Sequence, residues 1–374
     1  MKIVFSPVRN KKNKYVEIVA DAIRDNGIEI YSKTDYLKGK CKGVEYFHFN
    51  WYEKVNGLWK YMAKILLLKL LIIKKKKIIF TLHNKRAHLN SARDRSIKYS
   101  NALTAFFIRK SHKVVIHSHE SRTYLVDNFG REVEEKLLYI PHPNYIDVYG
   151  GIIENKDEGQ GLRLLFLGLI KEYKNVDLLI DIISSFEKQD ISLLIAGMAD
   201  ANYRNLLERK LSERRRAGMD NITAHFEFVK DEEISLYLSE CDLVVMPYDL
   251  VSSLNSGSAI LAFSYQKSVI CPQIGTLTDL ENRCYFSYTY NNIEEHKVAL
   301  ENIIREAIEM KKSNPQVLKE WGQAMYEEIA KKNSYSIVKN KIKDLYISLL
   351  SFLILIEEEC FENIDCQLDA LILI

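Results

Sequence analysis

The second half of the chain holds two stretches whose residue types suit an anion. The first is Phe166-Leu-Gly-Leu-Ile-Lys-Glu-Tyr-Lys-Asn-Val-Asp177. An apolar run ends at Gly168, where no side chain obstructs the backbone, and Lys171 and Lys174 follow. A glycine there admits a phosphate, and two ammonium groups can neutralise a departing diphosphate. The competing reading is an ordinary strand-to-helix turn with solvated lysines. The second stretch runs from the apolar Cys241-Asp-Leu-Val-Val-Met-Pro-Tyr-Asp249 into Ser252-Ser-Leu-Asn-Ser-Gly-Ser258. Asn255, Ser256, Gly257 and Ser258 stand just before the helical run Ala259–Tyr265. They offer hydroxyls and free backbone N–H groups at a helix start, which is how helices bind anions. The same residues make good helix caps. Two such loops, each after a predicted strand, favour the ligand.

The first half contributes histidines. Phe47-His-Phe-Asn-Trp51, Phe80-Thr-Leu-His-Asn84, Val115-Ile-His-Ser-His119 and Ile140-Pro-His-Pro-Asn-Tyr145 each place an imidazole at the end of a predicted strand. His88 follows four residues after Asn84. One such histidine is usually structural, but four on one side of a sheet mark a working surface. A neutral imidazole accepts a proton from a hydroxyl or holds that hydroxyl by a hydrogen bond. His83 is the first candidate for that work, with His119 and His142 behind it. Metal binding by these histidines is the competing chemistry. The basic loop Ser6-Pro-Val-Arg-Asn-Lys-Lys-Asn-Lys-Tyr15, which contains Arg9 and Asn13, leads into the first helix and is expected to line the same side.

The elements that must position these residues alternate strand and helix from end to end. Predicted strands are Lys2–Phe5, Gly27–Tyr31, Tyr46–Phe49, Lys77–Leu82, Val114–His117 and Leu137–Ile140, then Leu162–Leu167, Ser192–Ala196, Ile222–Phe226, Leu243–Met246, Ser268–Cys271 and Arg283–Phe286. Helical patterns such as Tyr15–Asp25, Ser96–Lys110, Ser121–Phe129, Asp177–Gln189 and Arg204–Arg216 lie between them, which implies parallel sheets with crossover helices. The expected organisation is a domain over 1–152, a linker over 153–161 and a second domain over 162–325. A helical segment and tail over 326–374 is expected to cross back to the first domain. Such a pair leaves a cleft, and open α/β sheets bind ligands at the carboxyl ends of their strands.

Composition agrees with a folded two-domain chain: 374 residues, 47% hydrophobic and 28% charged, with 6 prolines. A net charge of +3 gives no argument for nucleic acid. None of the six cysteines forms a C-x-x-C pair, and the amino terminus reads as a strand rather than a signal peptide. The expected location is the cytoplasm, with peripheral contact at the inner face of the membrane as an addition.

Taken together, the second-half motifs resemble the nucleotide-binding half of double-Rossmann (GT-B) glycosyltransferases, the large retaining group of bacterial polysaccharide synthesis. The match runs through Gly168, Lys171 and Lys174, Leu194-Ile-Ala-Gly197, Phe228-Val-Lys-Asp-Glu-Glu-Ile-Ser-Leu-Tyr237, Cys241–Tyr248, Asn255-Ser-Gly257 and Ser268-Val-Ile-Cys-Pro-Gln-Ile-Gly275. The His-Asn after a strand and the His-Pro-x-Tyr turn resemble the acceptor side of the same group. The resemblance implies a nucleotide-sugar donor (UDP- or GDP-sugar) held by Gly168, Lys171, Lys174 and Asn255–Ser258, with Phe228–Val229 bordering the base. It also implies hexosyl transfer without a cofactor or metal, because lysines hold the diphosphate. On the acceptor side it points to His48, Asn84, His88, Arg9 and Asn13. Two glutamates eight positions apart are common in the family, and Ser253 and Leu261 stand in those places here. Asp249 and Asp279 are the nearby acids that remain for donor-sugar hydroxyls. A non-catalytic binding or chaperone partner of a transferase and a nucleotide-sugar epimerase are the alternatives, since fold alone does not separate them.

The stretch Leu58–Lys77 is apolar but interrupted by Lys60, Lys64 and Lys69, with Lys60 and Lys64 on one side and Lys69 opposite. It reads as a largely buried crossover helix followed by a solvated basic turn, with an anionic membrane surface as the alternative partner. Residues 347–374 yield no functional reading.

Overall fold

A computed structural model describes residues 1–10, 13–86, 95–154 and 159–348. The first six strands are β1 (Lys2–Ser6), β2 (Glu29–Tyr31), β3 (Tyr46–Asn50), β4 (Lys77–Thr81), β5 (Lys113–Ile116) and β6 (Leu137–Tyr139). They pair in parallel in the order β2-β1-β3-β4-β5-β6. The next six are β7 (Leu162–Leu167), β8 (Ile191–Ala196), β9 (Ile222–His225), β10 (Leu243–Val245), β11 (Ser268–Pro272) and β12 (Phe286–Tyr288). Their order, β12-β11-β10-β7-β8-β9, is the doubly wound pattern, again all parallel. The fold is α/β with two Rossmann-like domains.

Helices cover both faces of each sheet, so the central strands are apolar almost throughout, as in Lys113-Val-Val-Ile116 and Leu162-Arg-Leu-Leu-Phe-Leu167. One face of the first sheet packs Phe47, Phe49 and Phe80 against Leu68, Leu71 and Phe107; the other packs Ile3, Phe5 and Ile79 against the helix Tyr15–Arg24.

The chain leaves the second domain through the helices Ile293–Ser313 and Pro315–Lys332. A last helix, 335–348, returns to the first domain and buries Val338, Ile342, Leu345 and Tyr346 beside Ile3 and Phe5. Asn333, between the two, donates to His142 O at 2.7 Å, and Asn144 N donates to Asn333 O at 2.9 Å. In the other direction, Leu254 of the second domain's serine-rich loop is fully buried in the first domain's core. Each domain is therefore anchored in the other.

Three expectations are corrected. The last strand is Phe286–Tyr288, three residues beyond the start read from the sequence. The helix expected to run to Gln189 is Val176–Ile183, because Ser184 and Ser185 turn their hydroxyls onto Ile180 O and Ile182 O and end it. The third concerns the helix Leu58–Ile73, which buries only Leu68 and Leu71 fully. Lys64 folds inward, donating to Tyr52 O at 2.6 Å and Lys54 O at 2.8 Å, so the lysine is inside and much of the apolar surface is out.

Candidate active site

Strand order reverses between β1 and β3 in the first sheet and between β7 and β10 in the second. Both reversals open onto one cleft of about 780 Å³ between the domains. Ser6 and Pro7 at the end of β1, Asn50 and Trp51 at the end of β3, Gly168 after β7 and Tyr248 after β10 all line it.

On the second domain's side, Gly168 has φ +122° and Gly197 has φ +149°. A Cβ on Gly197 would collide with the backbone of Gly168, so the two strand ends approach as only glycines allow. A Cβ at Gly168 would lie 3.8 Å from both Lys174 Nζ and Ser258 Oγ, which places these two groups over the exposed backbone. Lys174 is only 6% exposed, and burial lowers its ammonium to about 8. Its neighbours are aromatic: Nζ lies 5.6 Å from the Phe166 ring centre and 5.3 Å from that of Tyr248. It forms no ion pair among the described residues, an expensive state that an anion would relieve.

The loop opposite begins the helix Gly257–Ser264, capped by Ser256 Oγ accepting from Ala259 N at 3.1 Å. Asn255, Ser256, Gly257 and Ser258 all line the cleft. Asn255 donates from Nδ2 to Ser121 Oγ of the first domain at 3.2 Å, and its buried Oδ1 has no partner among the described residues. Ser253 Oγ and Asn50 Nδ2 are likewise buried and without a partner among the described residues, and both residues face the cleft. These are the atoms a polar ligand would satisfy.

The first domain contributes His83 and His142, which line the cleft, and His117 behind them. His83 stacks on Trp51 at 3.9 Å between ring centres, and Nε2 lies 3.1 Å from Asn50 Oδ1. With Nε2 donating to that oxygen, Nδ1 keeps its lone pair. His142 Nδ1 donates to Pro143 O at 2.9 Å, so Nε2 is the acceptor. Burial holds His142 down at about 3 and His83 well below its ordinary value, helped by neighbouring imidazoles. Both imidazoles are therefore neutral rather than cationic, each with one ring nitrogen left as an acceptor.

Solved structures of this two-domain form align over nearly the whole chain. Sucrose-phosphate synthase of Thermosynechococcus elongatus gives a TM-score of 0.71 at 13% identity over 94% of this chain and 99% of its own. HepE of Anabaena in complex with UDP and glucose gives 0.68 at 14% identity, over 93% and 100%. At the sequence level, the family described as "Glycosyl transferases group 1" matches residues 161–305, the stretch that contains Gly168, Lys174 and the Asn255–Ser258 loop. The GDP-mannose:glycolipid 4-beta-D-mannosyltransferase of Xanthomonas campestris pv. campestris is 28% identical over 271 residues, 70% of each chain. The protein is a glycosyltransferase of the GT-B fold.

Other residues singled out from the sequence take different places in this glycosyltransferase. Lys171 pairs with Asp200 at 3.4 Å and does not line the cleft. Asp249 is absorbed by its own turn, accepting from Val251 N at 2.9 Å and Ser252 Oγ at 2.8 Å. Asp279 accepts from His119 N at 3.0 Å and pairs with His119 Nδ1 at 3.1 Å, joining the domains outside the cleft. Neither aspartate lines it, nor does His119. His48 is buried, bonded to Tyr346 OH at 2.9 Å and Thr81 Oγ1 at 2.8 Å. Asn84 and Asn13 line the cleft, whereas Arg9 is exposed elsewhere. His88 lies outside the described residues. Ser253 and Leu261 both face the cleft, so no carboxylate enters it from either position.

Sequence reasoning missed Lys33, Lys54, Lys64, Trp51 and Tyr145, which line the same cleft. Lys33 and Lys64 sit 4.9 Å and 4.4 Å from the Tyr52 ring centre. The acidic lining residue, Asp231, is paired with Lys14 at 3.1 Å, leaving the cleft with a positive balance. The chain gave no signal of this: Lys54 follows Glu53 and Lys33 stands two residues before Asp35, so both read as locally neutralised.

Proposed function

We propose that this glycosyltransferase moves a hexosyl group from a nucleoside-diphosphate sugar to a saccharide or lipid-linked saccharide, in the synthesis of a glycolipid or surface polysaccharide. The observation that carries the reading is Lys174: a buried ammonium without an acidic partner among the described residues, beside a bare glycine backbone and a helix start. A diphosphate supplies the missing counter-charge, and charge developing on it as the sugar leaves is met by Lys174, Ser258 and the N–H groups at Gly257. Phe228 and Val229 line the same cleft and suit the base. The HepE complex with UDP and the GDP-mannose-dependent relative support a UDP- or GDP-sugar.

The acceptor takes the first domain's half. His83, through Nδ1, accepts the proton of the attacking hydroxyl, and His142 Nε2 holds a sugar hydroxyl near Gly257. Lys33, Lys54 and Lys64 suit an acceptor that bears phosphate, and Asn84 and Asn13 suit its hydroxyls. The relative's glycolipid acceptor supports this class. Metal is not required, because the lysines carry the charge. Asp249, Asp279 and Lys171, which is paired with Asp200, have no part in donor binding in this reading.

Calorimetry with UDP, GDP and ADP tests the proposal. Micromolar binding of one diphosphate, weakened at least tenfold in Lys174→Ala, is the expected result. Absence of binding to all three would overturn it.

A further inference from the structure

The face of the helix Leu58–Ile73 turned away from the first domain is apolar along its length. Trp59 is 87% exposed, Met62 52%, Leu66 60%, Leu70 44% and Ile73 75%. At about 100° per residue these five fall within about 40° of one line, a stripe roughly 21 Å long. The domain's core lies on the opposite side of the helix, through Leu68 and Leu71.

Charge around the stripe has one sign. Lys60 and Lys69 flank it, and Lys74 to Lys77 close its carboxyl end. From Lys54 to Arg93 the chain has no aspartate or glutamate. No described helix is long and apolar enough to cross a membrane. A lysine-flanked apolar stripe of this length, unmatched by acid, is the form of a helix that lies in the headgroup layer of a bilayer.

We propose that the helix Leu58–Ile73 seats the enzyme on an anionic membrane, with Trp59, Leu66 and Ile73 entering the acyl boundary and the lysines meeting lipid phosphates. Lys64, on the inner side of the same helix, lines the cleft, so docking would hold the cleft beside the lipid surface. The inference deepens the lipid-linked acceptor proposed above, yet its test does not depend on transfer. A protein that binds vesicles but moves no sugar would sink the proposed function and leave the docking surface standing.

The experiment is flotation of the full chain with phosphatidylcholine vesicles, with and without phosphatidylglycerol, at low and high salt. Expected is salt-sensitive flotation with the anionic vesicles only. The double change Trp59→Ser and Leu66→Ser should reduce partitioning more than tenfold. Lys69→Gln with Lys74→Gln and Lys75→Gln should reduce it roughly fivefold per lysine. All five side chains are exposed, so unchanged circular dichroism and melting separate lost docking from lost folding. Vesicles whose acyl chains are brominated should quench tryptophan emission, and Trp59→Phe should remove that quenching. Three outcomes overturn the proposal: no flotation of the full chain, flotation indifferent to these substitutions, or a self-association that the serine changes abolish, which would make the stripe an interface between copies. Flotation that appears only after removal of 349–374, whose charged residues are all acidic, would likewise assign the stripe to the chain's own end.

Discussion

His142 and Gly257 face each other across the domain boundary so closely that a Cβ on Gly257 would stand 3.1 Å from His142 Nε2 and 3.3 Å from the Tyr145 hydroxyl. The imidazole cannot retreat freely, because Nδ1 is bonded to Pro143 O and the His142 carbonyl to Asn333. The histidine side of the cleft and the Asn255–Ser258 loop thus share one contact.

Gly257→Ala tests that contact. A helix start gains up to about 1 kcal/mol from alanine in place of glycine, so melting should change little. Turnover should fall about tenfold as His142 is displaced, and Gly257→Val should abolish it. Wild-type turnover in Gly257→Val would show that the contact has no functional consequence.

Lys174 pits stability against function. Its ammonium is disfavoured by burial, with a folded value near 8 against an ordinary 10.5. Lys174→Met, close in shape, should raise stability by roughly 1–3 kcal/mol in denaturant titrations while eliminating diphosphate binding. In the wild type, affinity should decline as pH rises through about 8, where the free protein loses that proton. A pH-independent affinity between 7 and 9 would count against Lys174 as the anion's partner.

The buried imidazoles set the acid limit. Burial lowers His48 and His142 to about 3 and His117 to about 4, and it also lowers His83. Each is neutral in the folded protein at pH 6, whereas an unfolded histidine begins to charge near 6.5. The unfolded chain therefore binds more protons between those values, and stability is lost as pH falls below about 6.5. Each imidazole contributes a slope of up to about 1.4 kcal/mol per pH unit in that window. Denaturation at pH 7.5, 6 and 5 reads it directly. Turnover should show no imidazole ionisation between pH 6 and 7.5, and a limb there would contradict a neutral His83.

Leu254 reports on the domain junction. Leu254→Ala leaves a cavity in the first domain's core and should cost about 2–5 kcal/mol. Because the same loop carries Asn255 to Ser258, diphosphate affinity should fall with it. A variant destabilised but with unchanged affinity would show that the wedge holds the domains without placing the loop.

Much of the fold is local information. A parallel strand buried on both faces must be apolar throughout, so runs such as Leu162–Leu167 announce themselves. Glycines and helix-start residues follow from backbone geometry, which made Gly168 and Asn255–Ser258 readable as candidates for an anion site, and all of them line the cleft. His83 could be singled out because it follows a strand immediately. The sequence alone determined the two-sheet α/β architecture and the chemical character of each strand end.

Tertiary structure decided which of these residues meet. Asp249 and Asp279 looked available but are taken up by Ser252 and His119, partners that are adjacent only in space or only in a particular turn. His48 belongs to a buried hydrogen-bond chain with Thr81 and Tyr346, the latter 298 residues away. The helix Leu58–Ile73 was misread because periodicity gives the relative positions of side chains but not which side the core lies on. Lys64 finding two carbonyls inside, and Leu66 finding none of the core, settled that. Charge and hydroxyl positions depend on packing between segments far apart in sequence, and no spacing rule within one segment encodes them.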